Sequence, residues 1–178
     1  MTADSLLTSQ RQHLAGLLLA IQRCAYFLHA SDAHIPWPLH GPDLESRKKD
    51  LGLFEALAAV NERFAKLQDT MGSAMRHSLV LSGEQADTFL KVLALFKKWG
   101  VVGSADQWQL ARMARKLAAH DYETDYACVA EHFNTLHDLK PGLMAMSRRF
   151  VAYCQEVLGV EPAQADFAED FDRITCEG

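Results

Sequence analysis

The chain has 178 residues, of which 49% are apolar and 23% charged, so it can form one domain with a hydrophobic core and is neither disordered nor collagen-like. Its 25 Ala and 24 Leu outnumber its 9 Val and 3 Ile, which favours helices and argues against a sandwich, a barrel or a doubly wound sheet. The formal net charge of −5 argues against a general nucleic-acid coat but leaves room for a small basic site.

Two long helices and a loop between them are predicted for the first 78 residues. Apolar residues recur every three or four positions over residues 5–29, which is the period of one buried helix face. Residues 34–42 contain three of the five prolines and therefore form a loop, which lies on the bundle and buries Trp37. A second helix is predicted from residue 43 or 44 to residue 78. Its apolar positions resemble the seam of a bundle: Leu53, Leu57, Val60, Phe64, Leu67, Met71 and Met75.

Two capping boxes predict where the next helices begin. Ser82-Gly-Glu-Gln85 has a serine three residues before a glutamine, and it opens a helix that ends near residues 99–100. Ser104-Ala-Asp-Gln107 repeats this spacing and opens a helix that continues to about Ala119. Residues 120–122 then form a turn.

The next segments complete a helical bundle. An amphipathic stretch covers residues 126–136, and Pro141-Gly142 starts a last helix, because proline is favoured in the first turn. Gly159 ends that helix. Residues 1–160 are therefore predicted to form an all-α, up-and-down bundle of four long helices with one or two short extra helices.

The C-terminal segment, residues 161–178, differs in composition from the bundle. It holds six acidic residues against one arginine. Phe167, Phe171 and Ile174 recur at i, i+4 and i+7, which predicts an apolar helix stripe. The segment is thus either an acidic tail or a short helix that docks on the bundle or on a partner.

No pattern predicts a metal, a cofactor or a nucleophile triad. The eight histidines contain no HExxH, and His132 and His137 are five positions apart, so they diverge by about 140° on a helix. The four cysteines lack CxxC spacing and are predicted to be reduced thiols. The polar N-terminus is unlike a signal peptide, and the longest apolar runs are too short for a membrane span. The sequence therefore predicts a cytoplasmic protein without membrane contact.

One segment, Arg115-Lys-Leu-Ala-Ala-His120-Asp-Tyr122, combines residues that suit phosphodiester cleavage. Histidine can both accept and donate a proton near neutral pH. Arginine supplies a permanent planar cation that binds a phosphate and its developing charge. With random placement of residues, about 0.01 such Arg–His–Tyr triples are expected in a chain of this composition. The triple therefore favours metal-independent cleavage of a phosphodiester.

This triple resembles the motif of HEPN domains and, among them, of HepT-like toxins paired with minimal nucleotidyltransferases. The resemblance covers residues 51–159 and includes Arg63-Phe-Ala-Lys-Leu-Gln-Asp-Thr-Met-Gly72, which is similar to the second-helix segment of such proteins. Lys116 stands where many HEPN ribonucleases have a polar residue after the arginine, and it keeps the site cationic.

The resemblance implies an endoribonuclease toxin of a bacterial toxin–antitoxin system, which needs no metal and leaves a 2′,3′-cyclic phosphate. Arg115 and His120 would be its catalytic residues. Three neighbours would support RNA binding: Arg112, Lys116 and Asp121. The nucleotidyltransferase partner, acting as the antitoxin, would attach AMP to Tyr122 and repel RNA by charge and bulk.

The catalytic pair needs a particular geometry to act on one phosphate. On a straight helix, Arg115 and His120 point about 140° apart. They converge if the helix breaks near Ala119, or if two copies face each other across a two-fold axis. The resemblance implies the second arrangement, a homodimer whose cleft contains both motifs.

Other interpretations stay open. A non-catalytic helical adaptor could bind a nucleotidyltransferase and present its substrate, with the motif residues as contacts. In a purely structural bundle, Arg115 would be a solvated cation, His120 would interact with a helix C-terminus and Tyr122 would anchor the turn. Asp69 would be a surface carboxylate or would orient the site, and the surface interpretation is favoured.

Overall fold

The computed structural model describes residues 3–117 and 125–176, and all regular secondary structure in these ranges is helical. The all-α prediction is thereby confirmed for this part of the chain. Seven helices occur there: α1 Ala3–Asp32, α2 Gly41–Ser46, α3 Leu51–Ser82, α4 Phe89–Lys98, α5 Ala105–Leu117, α6 Tyr126–Glu156 and α7 Ala168–Cys176. The helices α1, α3 and α6 have 30, 32 and 31 residues, whereas α5 has 13 described residues.

The core lies between α1, α3 and α6, with α4 and α5 covering one side. The apolar period predicted for the first helix is confirmed, since Leu14, Leu18 and Ile21 are fully buried. As a helix, residues 4–32 are also long and apolar enough to cross a membrane by length and composition alone, which the count of short apolar runs did not reveal. α1 packs along α3, and 39% of this apolar window is buried in the structure.

The single long helix predicted from residue 43 or 44 is in fact two helices, α2 and α3. Asp50 separates them, because its Oδ1 accepts a hydrogen bond from the Leu53 backbone N–H at 3.0 Å and so caps α3. The Nη2 atom of Arg47 forms an ion pair with Oδ2 of the same carboxylate at 2.7 Å. At its other end α3 runs beyond Ser78 to Ser82.

The first predicted capping box is wrong, and the second is confirmed. Ser82 ends α3, and Gly83 follows in the left-handed conformation with φ of 73°, which stops a helix instead of starting one. The next helix, α4, begins after Thr88, whose hydroxyl oxygen caps the helix by accepting a hydrogen bond from the Lys91 backbone N–H at 3.4 Å. Ser104 does cap α5, since its Oγ accepts from the backbone N–H groups of Asp106 and Gln107 at 3.2 and 3.4 Å.

The helix predicted to start at Pro141-Gly142 does not start there. Pro141 lies inside α6, which is continuous over Tyr126–Glu156. A proline in a helix interior costs about 3 kcal/mol because it removes a hydrogen bond and clashes with the preceding turn. Buried residues on both sides of it, Leu136 and Leu143 among them, keep the helix continuous through tertiary packing. The helix ends at Glu156, three residues before the predicted stop at Gly159, which has a φ of 62°.

The proline-rich loop lies on the bundle, as predicted, but it leaves Trp37 only half-buried, and residues 41–42 already belong to α2. The Trp37 indole donates a hydrogen bond from Nε1 to the Asp32 carbonyl at 3.0 Å and stacks on the His137 ring, with centroids 4.2 Å apart. The Asn134 side chain both accepts from the Leu39 N–H and donates to its carbonyl. The loop is therefore tied to α6 through backbone and ring contacts.

A buried charge cluster joins the end of α1 to α6. The Asp32 carboxylate is only 6% exposed, and it pairs with His137 at 2.8 Å through Oδ1 and with the Lys140 ammonium through Oδ2. Lys140 itself is 15% exposed. The Lys140 ammonium and the His137 ring thus compensate an acid that would otherwise be unfavourable at a helix C-terminus.

The short helix predicted in the acidic segment is present as α7. Phe171 and Ile174 are buried where α7 packs against α1 and α6, and the acidic Glu169 and Asp172 are exposed. Phe167, just before the helix, lies against the Tyr26 ring with centroids 5.5 Å apart. The apolar stripe therefore docks on the bundle.

The four cysteines divide into two exposed and two buried thiols, which predicts their reactivity. Cys128 and Cys176 are exposed, whereas Cys24 and Cys154 are buried. Burial raises the pKa of both inner thiols, that of Cys154 to about 12, so little thiolate forms at neutral pH. We expect Ellman's reagent to label two thiols quickly in the folded protein and four in denaturant. Rapid labelling of Cys154 in the native protein would contradict the packing of α6.

Candidate functional site

Facing surfaces of α3 and α5 line an open pocket of about 220 Å³, to which α4 contributes Phe89. The lining residues of α3 recur about every four positions, which places them on one face of the helix, toward the pocket. Its lining residues are Gln68, Asp69, Gly72, Ser73, Arg76, Phe89, Trp108, Arg112 and Arg115. Three of these are arginines and one is an acid, so the pocket is cationic in a protein whose net charge is −5.

Arg115 is held in place by α3. Its Nη1 lies 2.6 Å from Oδ1 of Asp69 and donates to the Ala65 carbonyl at 3.1 Å. The Arg115 side chain is 16% exposed, which is inconsistent with the interpretation as a solvated cation. Both contacts use Nη1. Within residues 3–117 and 125–176, no group accepts a hydrogen bond from Nη2 or Nε of Arg115. These donors remain available to a ligand in the pocket.

Asp69 combines the two roles considered from the sequence. Its side chain is 64% exposed, in agreement with the surface interpretation, and it also orients Arg115. The spacing along the chain could not reveal this pair, because the two residues belong to different helices. The ion pair depends on the packing of α5 against α3.

Arg76 is a pocket residue that the sequence analysis did not select. Its guanidinium lies over the Phe89 ring, 4.9 Å from the centroid, and Phe89 in turn packs against Trp108 at 5.5 Å. Neither Arg76 nor Arg112 forms an ion pair with a described residue. The only hint in the sequence is that Asp69 and Arg76 are seven positions apart, two turns along one face of a helix.

Gln68 lies at the base of the pocket and is 2% exposed. Its Nε2 donates to the Trp108 carbonyl at 2.9 Å, which joins α3 to α5. Its Oε1 is buried and has no hydrogen-bond partner among the described residues. A buried acceptor without a donor costs about 1–3 kcal/mol.

Of the predicted site residues, the structure brings Arg112 and Arg115 together in the pocket. Lys116 lies in α5 directly after Arg115. His120, Asp121 and Tyr122 lie outside the described residues, as do the predicted continuation of the helix to Ala119 and the turn at 120–122. Residues 118–124 connect α5 to α6, so His120 follows the end of the described part of α5 by three positions.

The two histidines compared in the sequence, His132 and His137, both lie on α6 and have structural partners on α3 and α1. The His132 ring nitrogen Nε2 lies 3.4 Å from Oδ1 of Asn61, and burial lowers the pKa of His132. His137 belongs to the Asp32 cluster. Among residues 3–117 and 125–176, no group of three or more His, Cys, Asp and Glu side chains could hold a metal.

Comparisons of the chain with protein-family models, curated proteins and solved structures find no match. The chemistry of the pocket is therefore inferred from its own residues. Guanidinium donors outnumber acceptors in a concave site between two helices, and this excess favours a ligand rich in acceptor oxygens and negative charge.

Proposed function

We propose that the protein is a metal-independent endoribonuclease toxin of a bacterial toxin–antitoxin system, of the HEPN type. The observation that carries the proposal is the cationic pocket beside α5. The last described residue of this helix, Leu117, precedes His120 by three positions in the chain. Arg112 and Arg115 both line this pocket, and the Arg–His–Tyr triple begins at its edge. A phosphodiester carries a single negative charge, which the Arg115 guanidinium at the start of the triple suits.

In the proposed reaction, His120 takes the proton from a ribose 2′-hydroxyl, or donates one to the leaving 5′-oxygen. The 2′-oxygen attacks the adjacent phosphorus, the bond to the 5′-oxygen breaks, and a 2′,3′-cyclic phosphate results. Arg115 binds the scissile phosphate and stabilises the charge that develops on it. Asp69 keeps the Arg115 guanidinium oriented before RNA arrives, so little reorganisation is needed. Lys116 and Asp121 would support RNA binding beside this pair.

The proposal includes an assembly. The helices α1, α3, α5 and α6 would form the four-helix, up-and-down arrangement, and two copies would meet so that both motifs line one cleft. A nucleotidyltransferase antitoxin would neutralise the toxin in the cytoplasm by attaching AMP to Tyr122. The added phosphate would place negative charge beside Arg112 and Arg115 and exclude RNA.

Expression of the chain alone, compared with a His120→Ala variant, tests the proposal. We expect the unaltered chain to arrest bacterial growth and, after purification, to cleave RNA in the presence of EDTA. The His120→Ala variant should do neither, because it lacks the imidazole to which the proposal assigns the proton transfer. Circular dichroism would show that the variant has the same helix content.

A substrate with 2′-deoxyribose at the cleavage position is the chemical control. It should resist cleavage completely, since the nucleophile is missing, and cutting of this substrate would rule out the mechanism. If both proteins are harmless and leave RNA intact, the adaptor function that binds a nucleotidyltransferase is favoured instead. The proteins would then be tested for binding to such an enzyme.

A further inference from the structure

The pocket between α3 and α5 has more positive charge than the proposed cleavage reaction uses. Asp69 compensates the charge of Arg115 through their 2.6 Å ion pair. Arg76 and Arg112 remain, and neither has an acidic partner among the described residues. Two uncompensated guanidinium groups line one cavity of about 220 Å³.

The charge of these two arginines indicates the kind of phosphate that fits. A phosphodiester carries one negative charge, whereas a phosphate monoester carries close to two at neutral pH, with three terminal oxygens that accept hydrogen bonds. Two guanidinium groups neutralise the monoester and leave a surplus charge with the diester. The planar, forked guanidinium also matches a terminal phosphate through paired hydrogen bonds.

The walls of the pocket restrict the ligand further. The Arg76 guanidinium lies over Phe89, with its Cζ 4.9 Å from the ring centroid, and this cation–π contact helps to hold it at the pocket. At about 220 Å³ the cavity is smaller than the roughly 300–1,000 Å³ typical of sites for drug-sized ligands, so it suits a terminal group.

The geometry points to Arg76 and Arg112 as a binding site for a phosphate monoester, separate from the phosphate that is cleaved. Such a group occurs at the 5′ end of a monophosphorylated RNA strand and in a mononucleotide. The inference does not depend on ribonuclease activity, because neither His120 nor proton transfer takes part in binding. It assigns a binding role to Arg76, which lies 36 positions before Arg112 in the chain.

Calorimetric titration of the full chain tests this site with uncleavable probes. The probes are one short 2′-O-methyl RNA with a 5′-phosphate, the same strand with a 5′-hydroxyl, and AMP. We expect the 5′-phosphate to strengthen binding of the strand at least tenfold. Tighter binding of the phosphorylated strand than of AMP identifies an RNA end as the ligand, and the reverse order identifies a mononucleotide.

Matched variants connect this preference to the pocket. Arg76→Gln and Arg112→Gln should each abolish the gain from the 5′-phosphate, while Arg148→Gln, an exposed arginine of α6 outside the pocket, should retain it. Ser73→Glu places a carboxylate at the exposed rim and should also abolish the gain, whereas the neutral Ser73→Gln should not. All four exposed positions lie on helices that tolerate glutamine and glutamate well.

Two results would overturn the inference. One is equal binding of the phosphorylated and hydroxyl strands, and the other is an equal loss of the preference in Arg148→Gln and Arg76→Gln. A chain that prefers the 5′-phosphate yet cleaves no RNA would refute the ribonuclease proposal alone. A chain that cleaves RNA without this preference would refute only the monoester site.

Discussion

Replacement of Phe171 by alanine is expected to lower the free energy of unfolding by about 3–5 kcal/mol, the usual cost of truncating a buried phenylalanine. Phe171 is 1% exposed and is the largest side chain that α7 inserts between α1 and α6. Its removal leaves a cavity that the ends of two long helices cannot close. Urea denaturation followed by circular dichroism measures the change.

Glu169→Ala is the matched control, because Glu169 lies on the same helix with its side chain exposed. It should change the free energy of unfolding by less than about 0.5 kcal/mol. Removal of residues 161–178 should destabilise the protein at least as much as Phe171→Ala, since Ile174 is lost as well. Equal melting temperatures of the truncated and full chains would show that α7 does not stabilise the bundle in solution.

Asp32→Ala is expected to cost about 3 kcal/mol, because removing one partner of a buried ion pair leaves the Lys140 ammonium without compensation. The Asp32 carboxylate is 6% exposed and pairs with both His137 and Lys140. Lys140 is 15% exposed, so water replaces the lost carboxylate only in part. The indole of Trp37, which stacks on His137, should report the loss as a shift in fluorescence.

The exposed ion pair between Asp87 and Lys91 provides the comparison. These side chains are 81% and 62% exposed, and Asp87→Ala should cost less than about 1 kcal/mol. A double variant, Asp32→Ala with Lys140→Met, should recover part of the stability lost in Asp32→Ala, because it removes the uncompensated ammonium. Equal effects of Asp32→Ala and Asp87→Ala would contradict the buried cluster.

The sequence by itself determined the features that depend on neighbours within one or two helical turns. Residues such as Leu14, Leu18 and Ile21 recur with the helical period, so the buried face of α1 follows from local geometry. The proline-rich loop and the Ser104 cap are local in the same way. The stripe of Phe171 and Ile174 likewise predicted a docking helix in an acidic segment.

Local sequence signals gave wrong helix boundaries where two of them apply to the same residues. Pro141 resembles a helix start, yet α6 continues through it because packing on both sides outweighs the cost of the proline. Ser82-Gly-Glu-Gln85 fits a capping box, yet Gly83 adopts a positive φ and ends α3. Asp50 divides the helix that the apolar period alone predicted as one, since its carboxylate satisfies an N–H at the start of α3.

Only the tertiary structure decided how the candidate pocket is built. Arg115 stood out in the sequence as part of a triple, but its ion pair with Asp69 joins residues 46 positions apart on different helices. Arg76 entered the site for the same reason, since α3 and α5 bring it beside Arg112. Helix periodicity shows which face of each helix is apolar, whereas the polar residues that meet across two helices depend on the angle and register of packing.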